Sequence, residues 1–199
     1  MRILMFNNEF PPLGGGTGTV NLELFNVFKN IPNLEIDLIT SSFSSKKEVQ
    51  KYSDNISIIK LPVGKKEIHH ASNIELIMYA LKATRSAFKY HKQNKYDFVF
   101  VWTTVPSGLP AIFLNLFKKL PFVLRIGGSD IPGFEERYSL VYKFITPFIK
   151  FVWKKAKRII VKCNTEKEMV TTINPNLKID IINNGIDTNI FFPLKNHQT

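Results

Sequence analysis

At 199 residues the chain is long enough for one domain with a full core and too short for two ordinary ones. Its 44% hydrophobic and 22% charged residues exclude a disordered or fibrous polymer. The net charge of +11 suggests anionic partners, but 22 of the 27 basic residues are Lys, whereas bidentate phosphate or base recognition favours the planar fork of Arg. With no nucleic-acid-binding motif in the sequence, no nucleic acid partner is expected.

The chain opens on "RILMFN" (2–7), a strand whose apolar run is too short for the h-region of a signal peptide. The loop "FPPLGGGTGTV" follows directly and places Gly14, Gly15, Gly16 and Thr17 before a helical pattern. A dinucleotide fingerprint fails in both registers, because the third glycine position falls on Thr19 or Asn21. A Walker loop fails too, since no Lys occurs between residues 1 and 28. Three readings remain open: an anion at the helix N-terminus, a sugar hydroxyl held by close backbone approach, or a tight turn packed by Pro11 and Pro12.

Val20, Leu24, Val27, Phe28 and Ile31 then form a helical stripe. Strands are expected at 35–40 (EIDLIT) and 56–62 (ISIIKLP). A second helix at 73–92 has Ser72 and Glu75 at the spacing of a capping box and a stripe of Ile77, Ala80, Leu81, Thr84 and Phe88. His69 and His70 have no matching Cys/His set, so no metal site is expected.

Further strands are expected at 98–102 (FVFVW), 122–128 (FVLRIGG), 158–163 (RIIVKC) and 178–184 (KIDIINN), making seven in all. Several are apolar at nearly every position, as strands covered on both faces are. Strand and helix alternate, so the expected fold is α/β, a Rossmann-like doubly wound parallel sheet in one domain. Ligands of such sheets bind beyond the carboxyl ends of the strands. Five loops should gather there: 8–18, 103–110, 127–134, 163–166 and 184–188. Candidate sugar or acceptor contacts on them are Thr103, Ser107, Gly127, Gly128, Ser129 and Asp130; Asp130 either binds a hydroxyl or holds its loop. Ser107 lacks the context of a hydrolase nucleophile.

A third helix is expected at 135–156, kinked at Pro147, and a fourth from Thr165, capped with Glu168. Residues 140–167 hold eight Lys or Arg and one acid, Glu166, hence +7 of the +11. Val141, Phe144, Ile145, Phe148 and Val152 form one face of the third helix. Lys150, Trp153, Lys154, Lys155 and Lys157 suit an anionic membrane surface; the rival reading is a core-packed helix with a lysine-rich outer face. No stretch reaches the roughly 18 apolar residues that span a bilayer, and the single Cys163 fits a reducing compartment. The expected location is cytoplasmic, peripheral at the inner face of the membrane.

Taken in order, "FPPLGGGTGTVNLEL", "VPSGLPA", "PFVLRIGGSDIPG", "AKRIIVKCNTEKE" and "KIDIINNGIDTNIFFP" resemble the amino-terminal domain of family four glycosyltransferases, retaining enzymes of the two-domain GT-B fold. The resemblance implies that residues 1–193 are the acceptor-side domain and 194–199 a tail beginning an interdomain linker. It implies hexosyl transfer to a cell-envelope polysaccharide or lipid-linked acceptor, with a UDP- or GDP-linked sugar as co-substrate and no cofactor bound by this domain alone. Gly15, Gly16 and Thr17 match the loop that faces the donor phosphate or the reacting sugar, and Asn184 and Gly185 match the interdomain turn. The partner implied is a carboxyl-terminal donor-binding domain, without which the chain is expected to be inactive; the alternative is a noncatalytic acceptor-binding or docking subunit of a split transferase.

Three departures stand out. The family's His-Gly-x-Asp is Gly127-Gly128-Ser129-Asp130 here, so its imidazole contact with the donor sugar is lost. Ala-Asp is Ala156-Lys157, and Pro-Asn-Gly is Asn183-Asn184-Gly185. Glu67 and Glu75 reproduce the spacing of the family's Glu-x7-Glu donor motif, but in the wrong domain, and are read as coincidence. No catalytic residue is assigned.

Overall fold

The computed structural model describes residues 1–136, 139–186 and 188. The expected boundary at 193 and the tail at 194–199 lie outside the described residues.

Eight strands form one sheet: β1 (Arg2–Phe6), β2 (Glu35–Ser42), β3 (Glu48–Lys51), β4 (Ile56–Pro62), β5 (Phe98–Trp102), β6 (Phe122–Arg125), β7 (Arg158–Val161) and β8 (Ile179–Ile181). Their order is β3-β4-β2-β1-β5-β6-β7-β8, and every pairing except β3 with β4 is parallel. The expected parallel α/β architecture is therefore present. The additional strand, β3, is an exposed antiparallel edge whose sequence, EVQK, contains one apolar residue and gives no periodic signal.

Five helices accompany the sheet: α1 (Gly16–Phe28), α2 (Asn73–Gln93), α3 (Gly108–Lys118), α4 (Ser139–Lys155) and α5 (Asn164–Ile173). Two apolar cores flank the sheet. One brings Leu4, Phe6, Val99, Val101 and Leu124 together with residues of α2 to α5. The other packs Phe10 and Phe25 against Met5, Ile36, Leu38 and Trp102.

The helix faces differ from their expected ones in an instructive way. α2 buries Tyr79, Ala80, Ala83, Ser86 and Ala87, while Ile77 and Leu81, assigned to its core stripe, are exposed. The small residues let the helix lie close to its neighbours, and hydrophobic size misidentifies that face. The capping box at its start is present: Ser72 Oγ accepts from Glu75 N (3.4 Å) and Glu75 Oε2 accepts from Ser72 N (2.8 Å). By contrast Thr165 does not cap α5. That helix begins at Asn164, and the buried Glu166 instead accepts from Lys162 N at 2.8 Å.

α4 begins at Ser139 and contains Pro147. Its buried face is Tyr142, Ile149, Val152 and Trp153, rotated from the expected one, so that Val141 and Phe144 face outward. Trp153, grouped above with the lysines as a membrane contact, is corrected to a core residue. It is fully buried and its Nε1–H donates to Thr104 Oγ1 at 2.9 Å. Gly108, the first residue of α3, permits this packing: a Cβ there would stand 3.2 Å from Val152 Cγ1.

Candidate functional site

The strand order departs from β1 in both directions, toward β2 and toward β5, and a cleft of about 550 Å³ opens beyond the carboxyl ends of these strands. Glu9, Gly16 and Thr17 line one side; Trp102, Thr103, Arg125, Gly127, Gly128, Ser129, Lys162 and Asn184 complete it. The glycine loop and the 127–129 segment thus share one cavity.

The loop before α1 is built around a carboxylate. Glu9 Oε2 accepts from Gly15 N (3.0 Å) and from the Thr17 hydroxyl (2.9 Å). Gly14 has φ +90°, and a Cβ there would lie 2.4 Å from Glu9 Cβ, so both conformation and space require glycine. Behind the loop, buried Asn7 Oδ1 accepts from Glu9 N (3.1 Å), and Asn7 Nδ2 donates to buried Asn21 Oδ1 (3.3 Å).

The opposite side is cationic. Arg125 is 9% exposed, its guanidinium sits 5.1 Å from the centre of the Trp102 ring, and it donates to Ile182 O and Asn184 Oδ1. Burial lowers its pKa, while Glu166 opposes that fall. Lys162 Nζ pairs with Glu166 Oε1 at 3.1 Å and is 40% exposed. Thr103, at the end of β5, has φ +70°, a strained conformation for a β-branched residue, and its buried hydroxyl has no partner.

Two expected contacts lie beneath the cleft. Ser107 is fully buried at the start of α3, which closes it to a ligand. Asp130, 5% exposed, accepts from Thr104 N (2.9 Å) and Gly127 N (3.1 Å) and so holds the 103–107 and 127–130 loops together. Burial pushes its pKa up to about 7 against these N–H bonds, which favour the charged form. Gly127 itself has nothing within 4 Å of an added Cβ, so the place where the resemblance puts an imidazole is open space. Asn184 reaches the cleft, whereas Gly185 is exposed and does not line it.

Glu9, Arg125, Trp102 and Lys162 were not singled out from the sequence. The last three sit at or just beyond the carboxyl ends of β5, β6 and β7, a position that could have revealed them once the sheet was drawn. Nothing in the sequence indicates that Glu9 folds back into the glycine loop. Among the described residues no group of three or more His, Cys, Asp or Glu is placed to hold a metal ion, and no helix is long and apolar enough to cross a membrane.

The Glycosyltransferase Family 4 model matches residues 14–190. Among solved structures the chain is similar to a sucrose-phosphate synthase from Thermosynechococcus elongatus, with TM-score 0.76 and 14% identity over 97% of this chain and 50% of that one. It is also similar to a trehalose-6-phosphate structure from E. coli bound with UDP-2-fluoro glucose (TM-score 0.57, 9% identity, 96% of this chain, 50% of that). A third is a UDP-GlcNAc 2-epimerase from Neisseria meningitidis bound to UDP-GlcNAc (TM-score 0.53, 10% identity, 91% of this chain, 45% of that). At these identities the likeness concerns the fold, and the chain spans about half the length of each. No curated protein matches it significantly.

Proposed function

Because this chain belongs to glycosyltransferase family 4, we propose that it is the acceptor-binding half of a nucleotide-sugar-dependent retaining transferase, its cleft presenting the acceptor to a donor-binding domain outside residues 1–199. The observation that carries this reading is the cleft at the carboxyl ends of β1, β5, β6 and β7, which gathers polar groups of both signs. The half-length match to the solved structures supports a second wall elsewhere.

In this reading a UDP- or GDP-linked sugar enters from the opposite wall, and the acceptor hydroxyl attacks on the face from which the diphosphate departs. No protein nucleophile is invoked. The domain contributes by positioning, and Arg125 and Lys162 supply positive charge near the departing diphosphate.

The acceptor class we favour is a cell-envelope saccharide, lipid-linked or membrane-borne. Support comes from α4, whose outward face exposes Leu140 (68%), Val141 (48%), Phe144 (84%) and Phe151 (42%). Lys143, Lys150, Lys154 and Lys155 are exposed on the same helix, Lys157 follows it, and no acid occurs from 139 to 157. An apolar ridge among lysines matches an anionic bilayer surface.

Capture of lipid-linked and free envelope saccharides by the chain tests the reading, with Gly127→Phe as the blocked variant. The Cβ of the new side chain meets nothing within 4 Å. Capture is expected with the parent chain and lost in the variant; equal capture by both would remove the cleft from the proposal. Transfer from a UDP- or GDP-sugar by the purified chain alone would contradict the separate donor domain.

A further inference from the structure

Phe134 stands at the border of the cleft. Its ring tip rests on Gly128, so closely that a Cβ on that glycine would come within 2.4 Å of Phe134 Cζ and Cε1. Gly133, at φ +90°, turns the chain just before it, and Phe134 N donates to Ile131 O at 3.0 Å, so a tight turn lays the ring back on Gly128. The residue is nonetheless 46% exposed. A ring fixed at its tip and left half in water contributes little to a core.

Its chain neighbours belong to a second concavity, a groove of about 850 Å³, within the roughly 300–1,000 Å³ of small-molecule sites. Gly133, Glu135 and Glu136 line one side, and Ser139, Tyr142 and Lys143 of α4 line the other. The groove is tied to the cleft by a hydrogen bond as well as by the Phe134 ring: the Tyr142 hydroxyl donates to Ser129 O at 2.9 Å, and Ser129 lines the cleft. Pro147, also at the groove, has no N–H, which removes the helical bond that Lys143 O would accept and frees a backbone acceptor on this stretch of helix.

We propose that this groove is a second saccharide subsite, with Phe134 as the ring on which a chain of sugars crosses into it from the cleft, so that the acceptor is an oligosaccharide of at least two units. The proposal rests on the reading that the cleft receives the acceptor, and deepens it by naming the acceptor's class. A pyranose presents an apolar C–H face, which suits the negative face of an aromatic ring, and a rim of hydroxyls that both donate and accept. Glu136 accepts, Lys143 donates and Ser139 does both. A hydrocarbon chain in the groove would strip water from Glu135, Glu136 and Lys143, and a phosphate would meet two carboxylates.

The test is an amide-resolved NMR titration of the whole chain with glucose, galactose, mannose and N-acetylglucosamine, then with disaccharides and tetrasaccharides built from each. In the parent chain monosaccharides should shift Gly127 and Gly128 alone. Oligosaccharides of one series should add Gly133, Glu135, Glu136 and Ser139 and bind at least tenfold more tightly. Phe134→Leu, which keeps an apolar side chain but no ring, should lower oligosaccharide affinity about tenfold and leave monosaccharide affinity unchanged. Ser139→Trp, which fills the groove from the exposed start of α4, should do the same.

Oligosaccharide shifts confined to one of the two concavities, or equal oligosaccharide affinity in the parent and Phe134→Leu, would overturn the subsite and leave the acceptor reading standing. Absence of any saccharide shift in the cleft would refute the acceptor reading, and the subsite with it.

Discussion

Asp130 ties two cleft loops together from below, and its burial makes that tie sensitive to pH. Its carboxyl is raised from 3.8 to about 7 by desolvation, so between these values the folded protein keeps a proton that the unfolded chain has released. Stability from this group is full below about pH 4 and is lost as pH rises through about 7. At 1.36 kcal/mol per pH unit of displacement, the loss between about pH 5 and pH 8 comes to roughly 2–3 kcal/mol. Asp130→Asn cannot ionise, and its amide replaces one acceptor with a donor facing Gly127 N or Thr104 N, at a cost of about 1–3 kcal/mol at every pH. Urea unfolding of both proteins across this range, taken as a difference, removes contributions they share, including that of His91, whose pKa burial lowers. The variant should be clearly less stable than the parent at about pH 5, with the gap closing by roughly 2–3 kcal/mol at about pH 8. A gap that is constant with pH, or that widens as pH rises, would refute the reasoning.

Thr103→Gly should leave stability unchanged or raise it by up to about 1 kcal/mol, because relief of the φ +70° conformation offsets the backbone entropy of glycine and the lost hydroxyl has no partner. Thermal unfolding reads this, and a loss above about 2 kcal/mol would show that the conformation is not strained. For the proposed membrane face, joint replacement of Lys150, Lys154, Lys155 and Lys157 by Glu should cut flotation with anionic vesicles at least 100-fold, at about 1 kcal/mol per basic residue. Trp153→Phe should leave flotation unchanged while lowering stability by about 1–3 kcal/mol through the stranded Thr104 hydroxyl. Reduced flotation in a folded Trp153→Phe protein would reverse the placement of that residue.

The central strands were readable because "RILMF" and "FVFVW" are apolar at nearly every position and of strand length, the pattern of strands covered on both faces. No helix was expected at α3: "GLPAIFLNLF" is apolar at most positions, and the exposed Leu116 and Phe117 blur the face that Ala111, Ile112 and Leu114 bury. Faces of α2 and α4 were rotated for a related reason, since alanines and a buried indole, not the largest aliphatic residues, decide which side packs. The location of the cleft followed from topology, and Gly16, Thr17, Thr103, Gly127, Gly128, Ser129 and Asn184 do meet there. The carboxylate inside the glycine loop was not readable, because it depends on a reverse turn that brings Glu9 back onto Gly15 and Thr17.

The central claim is that this domain offers a wall for the acceptor and, beyond positive charge from Arg125 and Lys162 near the diphosphate, no site for the nucleotide. Titration of the purified chain with UDP and GDP, followed at the amides of Thr17, Thr103, Arg125, Gly127 and Lys162, tests it most directly. The account predicts at most weak, non-saturating shifts confined to Arg125 and Lys162; saturable shifts at all five residues with micromolar affinity would contradict it.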